Sequence, residues 1–121
     1  MRESILAAQV SGPQPDAEGR TVFEFRFPAH DPVFAGHFPE NPILPGVFQL
    51  ELVRVAVEAV LHCPLLVREI PKAKFRLPIS PNETVRLELK WTEKDGAIQA
   101  RAGFSVGPQT AGETLLTLAR A

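Results

Sequence analysis

The sequence predicts an α+β fold in which one antiparallel sheet wraps around one long buried helix. Three observations carry this expectation. Residues 47–62 read as a helix that is apolar around most of its circumference, and such a helix must be covered on most sides. Residues 20–27, 83–92 and 97–106 alternate apolar and polar side chains, the period of a half-buried strand. Between the last two runs, Glu93-Lys94-Asp95-Gly96 carries the Asp-Gly pair favoured by tight antiparallel hairpins. A single sheet buries such a helix only by curving round it, and a second subunit is expected to cover the remainder.

The elements follow in order. Residues 4–10 are mildly apolar and predict a short strand, ended by the breaker run Ser11-Gly12-Pro13-Gln14-Pro15-Asp16. Along 20–27, Phe23, Phe25 and Phe27 point to the core, and Val22, Glu24 and Arg26 point away. Residues 28–45 hold Pro28, Pro32, Pro39, Pro42 and Pro45. Proline fixes its own φ and restricts its predecessor, so this loop is extended, stiff and loses little entropy on ordering. Its Phe34, Phe38, Ile43 and Leu44 are too apolar for a solvated linker.

Pro45-Gly46 ends the loop and the helix begins. Glu51, Arg54, Glu58 and His62 form its one narrow polar stripe. Its valines are poor helix formers, so tertiary burial must support it. Residues 65–77 read as a strand in which Pro71 marks a bulge, a bend or an edge position. After a turn at 78–82, the strand at 83–92 puts Val85, Leu87, Leu89 and Trp91 on one face. The strand at 97–106, a loop at 107–112 and a last strand at 113–119 complete the chain.

With 121 residues, 45% of them apolar, the chain is expected to form one domain over 1–121 with a real core. A net charge of −1 gives no basis for binding nucleic acid or an anionic membrane. Arg68, Lys72, Lys74 and Arg76 form a mild basic cluster, read as a solvated strand face or as a patch for an acidic partner. Cys63 is the single cysteine; it permits no internal disulfide, fits a reducing cytoplasm and reads as a packed thiol. No basic-then-apolar leader opens the sequence. The apolar stretch at 47–61 is too short and too charged to span a membrane. His30, His37 and His62 are too scattered for a zinc set, there is no Gly-rich phosphate loop, and no metal or cofactor is expected.

The chemistry concentrates in His37-Phe38-Pro39-Glu40-Asn41-Pro42-Ile43-Leu44-Pro45-Gly46, with Glu51 following one turn into the helix. An imidazole and a carboxylate are the two groups needed to remove one proton and deliver another near neutral pH.

This segment resembles the hot-dog-fold 3-hydroxyacyl-thioester dehydratases of the FabA and FabZ kind. Their motif is His-Phe-Pro, two residues, Pro, two residues, Pro-Gly, then an apolar stretch reaching an acid; here the acid, Glu51, falls 51 − 37 = 14 positions after the histidine. Ala73-Lys74-Phe75-Arg76-Leu77-Pro78-Ile79 resembles a second, weaker family segment. The wording from Ile43 to Glu51 is similar to that of small dehydratase-like proteins of polyene-type pathways. The resemblance implies dehydration of (3R)-3-hydroxyacyl groups on acyl carrier protein, in fatty acid, polyene or polyketide synthesis. It implies His37 as the base for the α-proton and Glu51 as the acid, direct or through water, for the departing hydroxyl. It implies the backbone N–H of Gly46 as the donor to the thioester carbonyl, and a site shared across a dimer or a dimer-based oligomer. Phe34, Phe38 and Phe48 are candidates for lining the acyl path, and Lys72, Lys74 or Arg76 for docking the carrier.

Arg54 departs from the family wording. It follows Glu51 by three residues on the same helix face, and a close guanidinium favours the ionised carboxylate, whereas a proton donor needs the opposite. This departure keeps a non-catalytic subunit that pairs with an active homologue beside the dehydratase, and because fold alone does not fix function a thioesterase on the same fold, with Glu51 activating water, stands there too.

Overall fold

The computed structural model describes residues 2–35 and 42–121. The elements run α1 (Arg2–Ala8), β1 (Gln9–Pro15), β2 (Thr21–Arg26), a 3-10 turn (Pro32–Phe34), α2 (Gly46–Leu61), β3 (Leu65–Phe75), β4 (Thr84–Lys94), β5 (Ala97–Val106) and β6 (Gln109–Arg120). Among the described residues six strands form one sheet in the order β1-β2-β4-β5-β6-β3, and every neighbouring pair is antiparallel.

The sheet order explains the helix. The chain leaves β2 near one edge and must reach β3 at the other, so α2 crosses the sheet between them. A helix of 16 residues is about 24 Å long, and six strands spaced by roughly 4.8 Å are also about 24 Å across. Helix length and sheet width match.

The packing follows the sequence pattern. Phe23 pairs with Leu87 and Phe25 with Val85 across β2 and β4, and all four are essentially inaccessible. The Phe23, Phe25 and Phe27 rings stack in series with centroids 5.9 and 6.3 Å apart. Phe48 of α2 meets Phe27 edge-on at 5.4 Å, joining helix to sheet. Within α2 only Val47 and Ala59 are exposed. The Asp-Gly hairpin lies where expected: Asp95 and Gly96 both have positive φ, 53° and 79°, the geometry of the turn that matches strand twist.

Three expectations need correction. Of the strand expected over 4–10 only the last two residues fall in β1: 2–8 form α1, whose Ile5 and Ala8 are buried. The breaker run is not a loop but most of β1, an edge strand whose register shifts twice against β2; edge positions and irregular registers accommodate proline. The loop expected at 107–112 is much shorter, since Gln109 already pairs with Val106 and Thr110 with Ser105. Pro71 behaves as read: β3 is the opposite edge strand, and its register against β6 shifts between Glu69 and Lys72.

Candidate active site

The start of α2 is fixed by its neighbours rather than by a side-chain cap. Leu44 N–H donates to Ile79 O at 2.8 Å, and the Leu44 carbonyl accepts from Gln49 Nε2 at 3.1 Å. Pro45 takes the N-cap position with no side-chain hydrogen bond. Its carbonyl accepts from the N–H groups of Phe48 and Gln49, each at 3.1 Å. Among the described residues, the N–H groups of Gly46 and Val47 have no acceptor. They carry the partial positive charge of the helix N-terminus, where an oxyanion is stabilised.

Gly46 lies in close contact with the Phe75 ring. A Cβ at this position would stand 2.7 Å from Cε2 and 3.0 Å from Cδ2 of Phe75, closer than carbon atoms approach without displacement. The absence of a side chain lets the β3 aromatic pack directly against the first turn of α2. Beside it lies a cleft of about 370 Å³, lined by Ile43, Gly46, Gln49, Phe75, Leu77 and Pro78 among others. A second cleft of about 350 Å³ flanks the same helix start, lined by Pro32, Val33, Ala35, Pro45, Val47 and Phe48. Phe48 is thus both a core residue and part of a cleft wall. Phe34 is buried in the core.

Glu51 is half-buried, with 24% of its side chain accessible. It is neither solvated nor free. Arg54 Nε donates to Glu51 Oε1 at 2.9 Å, and Arg54 Nη2 donates to the same oxygen. Arg54 Nη1 reaches on to Glu58 Oε2 at 2.7 Å and to the Leu65 carbonyl at 3.1 Å. Glu58, with 5% of its side chain accessible, also accepts from Leu65 N–H at 2.7 Å and from Arg2 of α1. Hydrogen bonding to Glu51 raises the Arg54 guanidinium above its ordinary pKa; desolvation opposes this, and the charges of Glu51 and Glu58 add to it. The structure therefore answers the question Arg54 raised: it points at Glu51 and not away from it.

The structure brings Gly46, Phe48 and Glu51 onto the first turns of one helix. His37 and Phe38 lie outside the described residues. The sequence reading missed Phe75 as the neighbour of Gly46, Glu58 as a buried group, and Gln49, which is 3% exposed and whose Oε1 has no hydrogen-bond partner among the described residues. Phe75 lay inside the second family-like segment, which was the available signal. The basic cluster is largely solvated, with Lys72 and Arg76 sharing Glu113 at 3.3 and 2.7 Å. Cys63 is partly buried against the core, as expected of a packed thiol. Among the described residues no helix is long and apolar enough to cross a membrane.

Residues 13–112 match the family model of the ApeI-like proteins, described as ApeI dehydratase. The chain belongs to this family. It is also similar to the 3-hydroxyacyl-[acyl-carrier-protein] dehydratase FabZ of Desulforamulus reducens, with 34% identity over 84% of this chain and 78% of that protein. The FabZ of Chloroflexus aggregans is 36% identical over 83% and 75%. Among solved structures, the dehydratase heterocomplex ApeI:P from Xenorhabdus doucetiae superposes with a TM-score of 0.75 and 28% identity, covering 93% of this chain and 96% of that one. A mutant of the fluoroacetyl-CoA thioesterase FlK superposes at 0.68 with 18% identity, over 90% of this chain and 88% of its own, a likeness of fold alone. This ApeI-like protein is a hot-dog-fold dehydratase of the 3-hydroxyacyl type.

Proposed function

We propose that this ApeI-like dehydratase converts (3R)-3-hydroxyacyl groups on acyl carrier protein to trans-2-enoyl thioesters, using His37 as the base and Glu51 at the departing hydroxyl. The observation that carries the reading is the open helix start: two N–H groups at Gly46 and Val47 without an acceptor among the described residues, beside a cleft. Removing a proton next to a thioester carbonyl builds negative charge on that oxygen, and such an N-terminus is a place to receive it. His37 lies nine positions before Gly46 and Glu51 five after it. Acid–base chemistry suffices, so the reading calls on no metal or cofactor.

A second chain completes the site in this proposal. Leu66, Val67, Ile70 and Phe75 of β3 are 36–56% exposed, and Val47 at the helix start is 71% exposed. Grouped on a sheet edge, such residues mark an interface. A second copy, or a homologue in a heteromer, pairs along this edge and brings its own site residues to Gly46 and Glu51. Arg76, which lines the cleft, and the exposed Lys74 two positions before it suit an acidic carrier protein; the cytoplasm is the compartment this reading expects.

Product analysis tests the activity. Incubation of the purified chain with a 3-hydroxyacyl-carrier thioester is expected to yield the enoyl thioester, lighter by one water, with the thioester intact. Release of free 3-hydroxy acid would identify a thioesterase instead. Turnover only after adding a homologous chain would identify a non-catalytic subunit.

A further inference from the structure

We propose that Gln49 is a positioning residue that sets the direction of the Gly46 N–H, the group offered to the thioester carbonyl. Its role in catalysis rests on the reading above of that N–H as the oxyanion donor. α2 starts without a side-chain cap, because Pro45 at the N-cap has no polar side chain to give. Gln49 reaches back instead, and its Nε2 donates to the Leu44 carbonyl at 3.1 Å. A carbonyl only accepts, so the amide must turn its nitrogen to Leu44. The Leu44 N–H is held as well, donating to Ile79 O at 2.8 Å.

The consequence for Gly46 follows from the torsions between them. The Leu44 carbonyl lies in the peptide plane that ends at the Pro45 nitrogen. The Pro45 ring locks φ, here at −62°. Only ψ of Pro45, 147°, separates that plane from the next, which carries the Pro45 carbonyl and the Gly46 N–H. The Pro45 carbonyl is held from the helix side by the N–H groups of Phe48 and Gln49, each at 3.1 Å. Gln49 thus grips the first plane with its side chain and the second with its backbone. The far end of the amide shows that stability alone does not account for it. Gln49 is 3% exposed, and its Oε1 has no hydrogen-bond partner among the described residues. An unmet buried acceptor is destabilising. Methionine, of similar size and without the amide, would remove that loss and release Leu44 together.

The test is Gln49→Met. The Gly46 N–H is worth more to a charged transition state than to the substrate. The variant is therefore expected to lower kcat for dehydration by about tenfold or more, with KM changed less than about twofold and little movement of the thermal melt. The residual dipolar coupling of the Gly46 N–H bond reports its direction without activity. It is expected to depart from the parent's, while the couplings of residues 52–57 in the middle of α2 stay. An unchanged kcat would overturn the proposal, and so would a raised KM at parental kcat. A kcat that falls together with Tm while the Gly46 coupling stays put would reduce Gln49 to a packing residue and overturn it too. Should Gln49→Met not fold, the parent decides. A Gln49 side-chain amide proton protected from exchange upholds the grip on Leu44, and one that exchanges as fast as the exposed Gln99 refutes it. If the parent forms no enoyl product, the dehydratase reading falls. The Gly46 coupling alone then decides whether Gln49 sets that N–H: changed in the variant it does, unchanged it does not.

Discussion

Replacing His37 with alanine is expected to lower kcat for 3-hydroxyacyl-thioester dehydration by about 10³-fold, within the range of roughly 10²- to 10⁴-fold that a positioned general base contributes. The thermal melt should not move. Steady-state kinetics on the carrier-bound substrate, with a melt of the same preparation, checks both. The effect is expected to be large because an α-proton beside a thioester is a weak acid. Stabilising the enolate at the Gly46 N–H cannot replace a base that must first take the proton. Turnover equal to the parent would remove His37 from the mechanism.

Glu58→Ala is expected to be the most damaging change away from the reacting atoms. The Glu58 carboxylate compensates Arg54, the Leu65 N–H and Arg2 together, and it is almost wholly buried. Removing one partner of a buried ionic cluster leaves the others unpaired, at a cost of about 3 kcal/mol. For a domain of this size that lowers Tm by roughly 10 °C. Glu58→Gln should recover part of the loss, because its amide oxygen still accepts from the Leu65 N–H. Thermal and urea melts of the two variants check the order. An alanine variant as stable as the parent would show that the cluster contributes nothing net.

Where periodicity is strong the sequence was enough. The helix expected over 47–62 is observed as Gly46–Leu61, and the strands on either side of Asp95-Gly96 lie where alternation put them. Most of the errors come from partners distant in the chain. Residues 2–8 do carry local helix signals, good helix formers with Glu3 in the first turn and Ile5 and Ala8 three apart on the buried face, which a reading of the segment as mildly apolar passes over. That short segment is held by Arg2 on Glu58 and by Ser4 Oγ donating to Asp31 at 3.0 Å, contacts that exist only after folding. Glu58 looked like one more member of a solvated stripe, because a helical wheel does not show that α1 and the start of β3 close over it. Its neighbour Arg54 could be flagged from sequence, since three-residue spacing puts it beside Glu51. Its direction could not be, because it depends on the Leu65 carbonyl of another element. At the candidate site the motif from His37 to Glu51 was legible as wording. The Phe75 ring packed against Gly46 became visible only when β3 was folded back against α2.

In the proposed enzyme one dehydration site draws His37 from one chain and Glu51 from its partner. Mixing His37→Ala chains with Glu51→Gln chains under subunit exchange tests it most directly. Each variant alone should be nearly inactive. In a mixed dimer, one of the two sites then regains both wild-type residues, and dehydration of the 3-hydroxyacyl-carrier thioester is expected to return to a substantial fraction of the parent rate. If the mixture, shown to contain mixed dimers, stays as inactive as its components, the two residues do not meet across the interface and the account is contradicted.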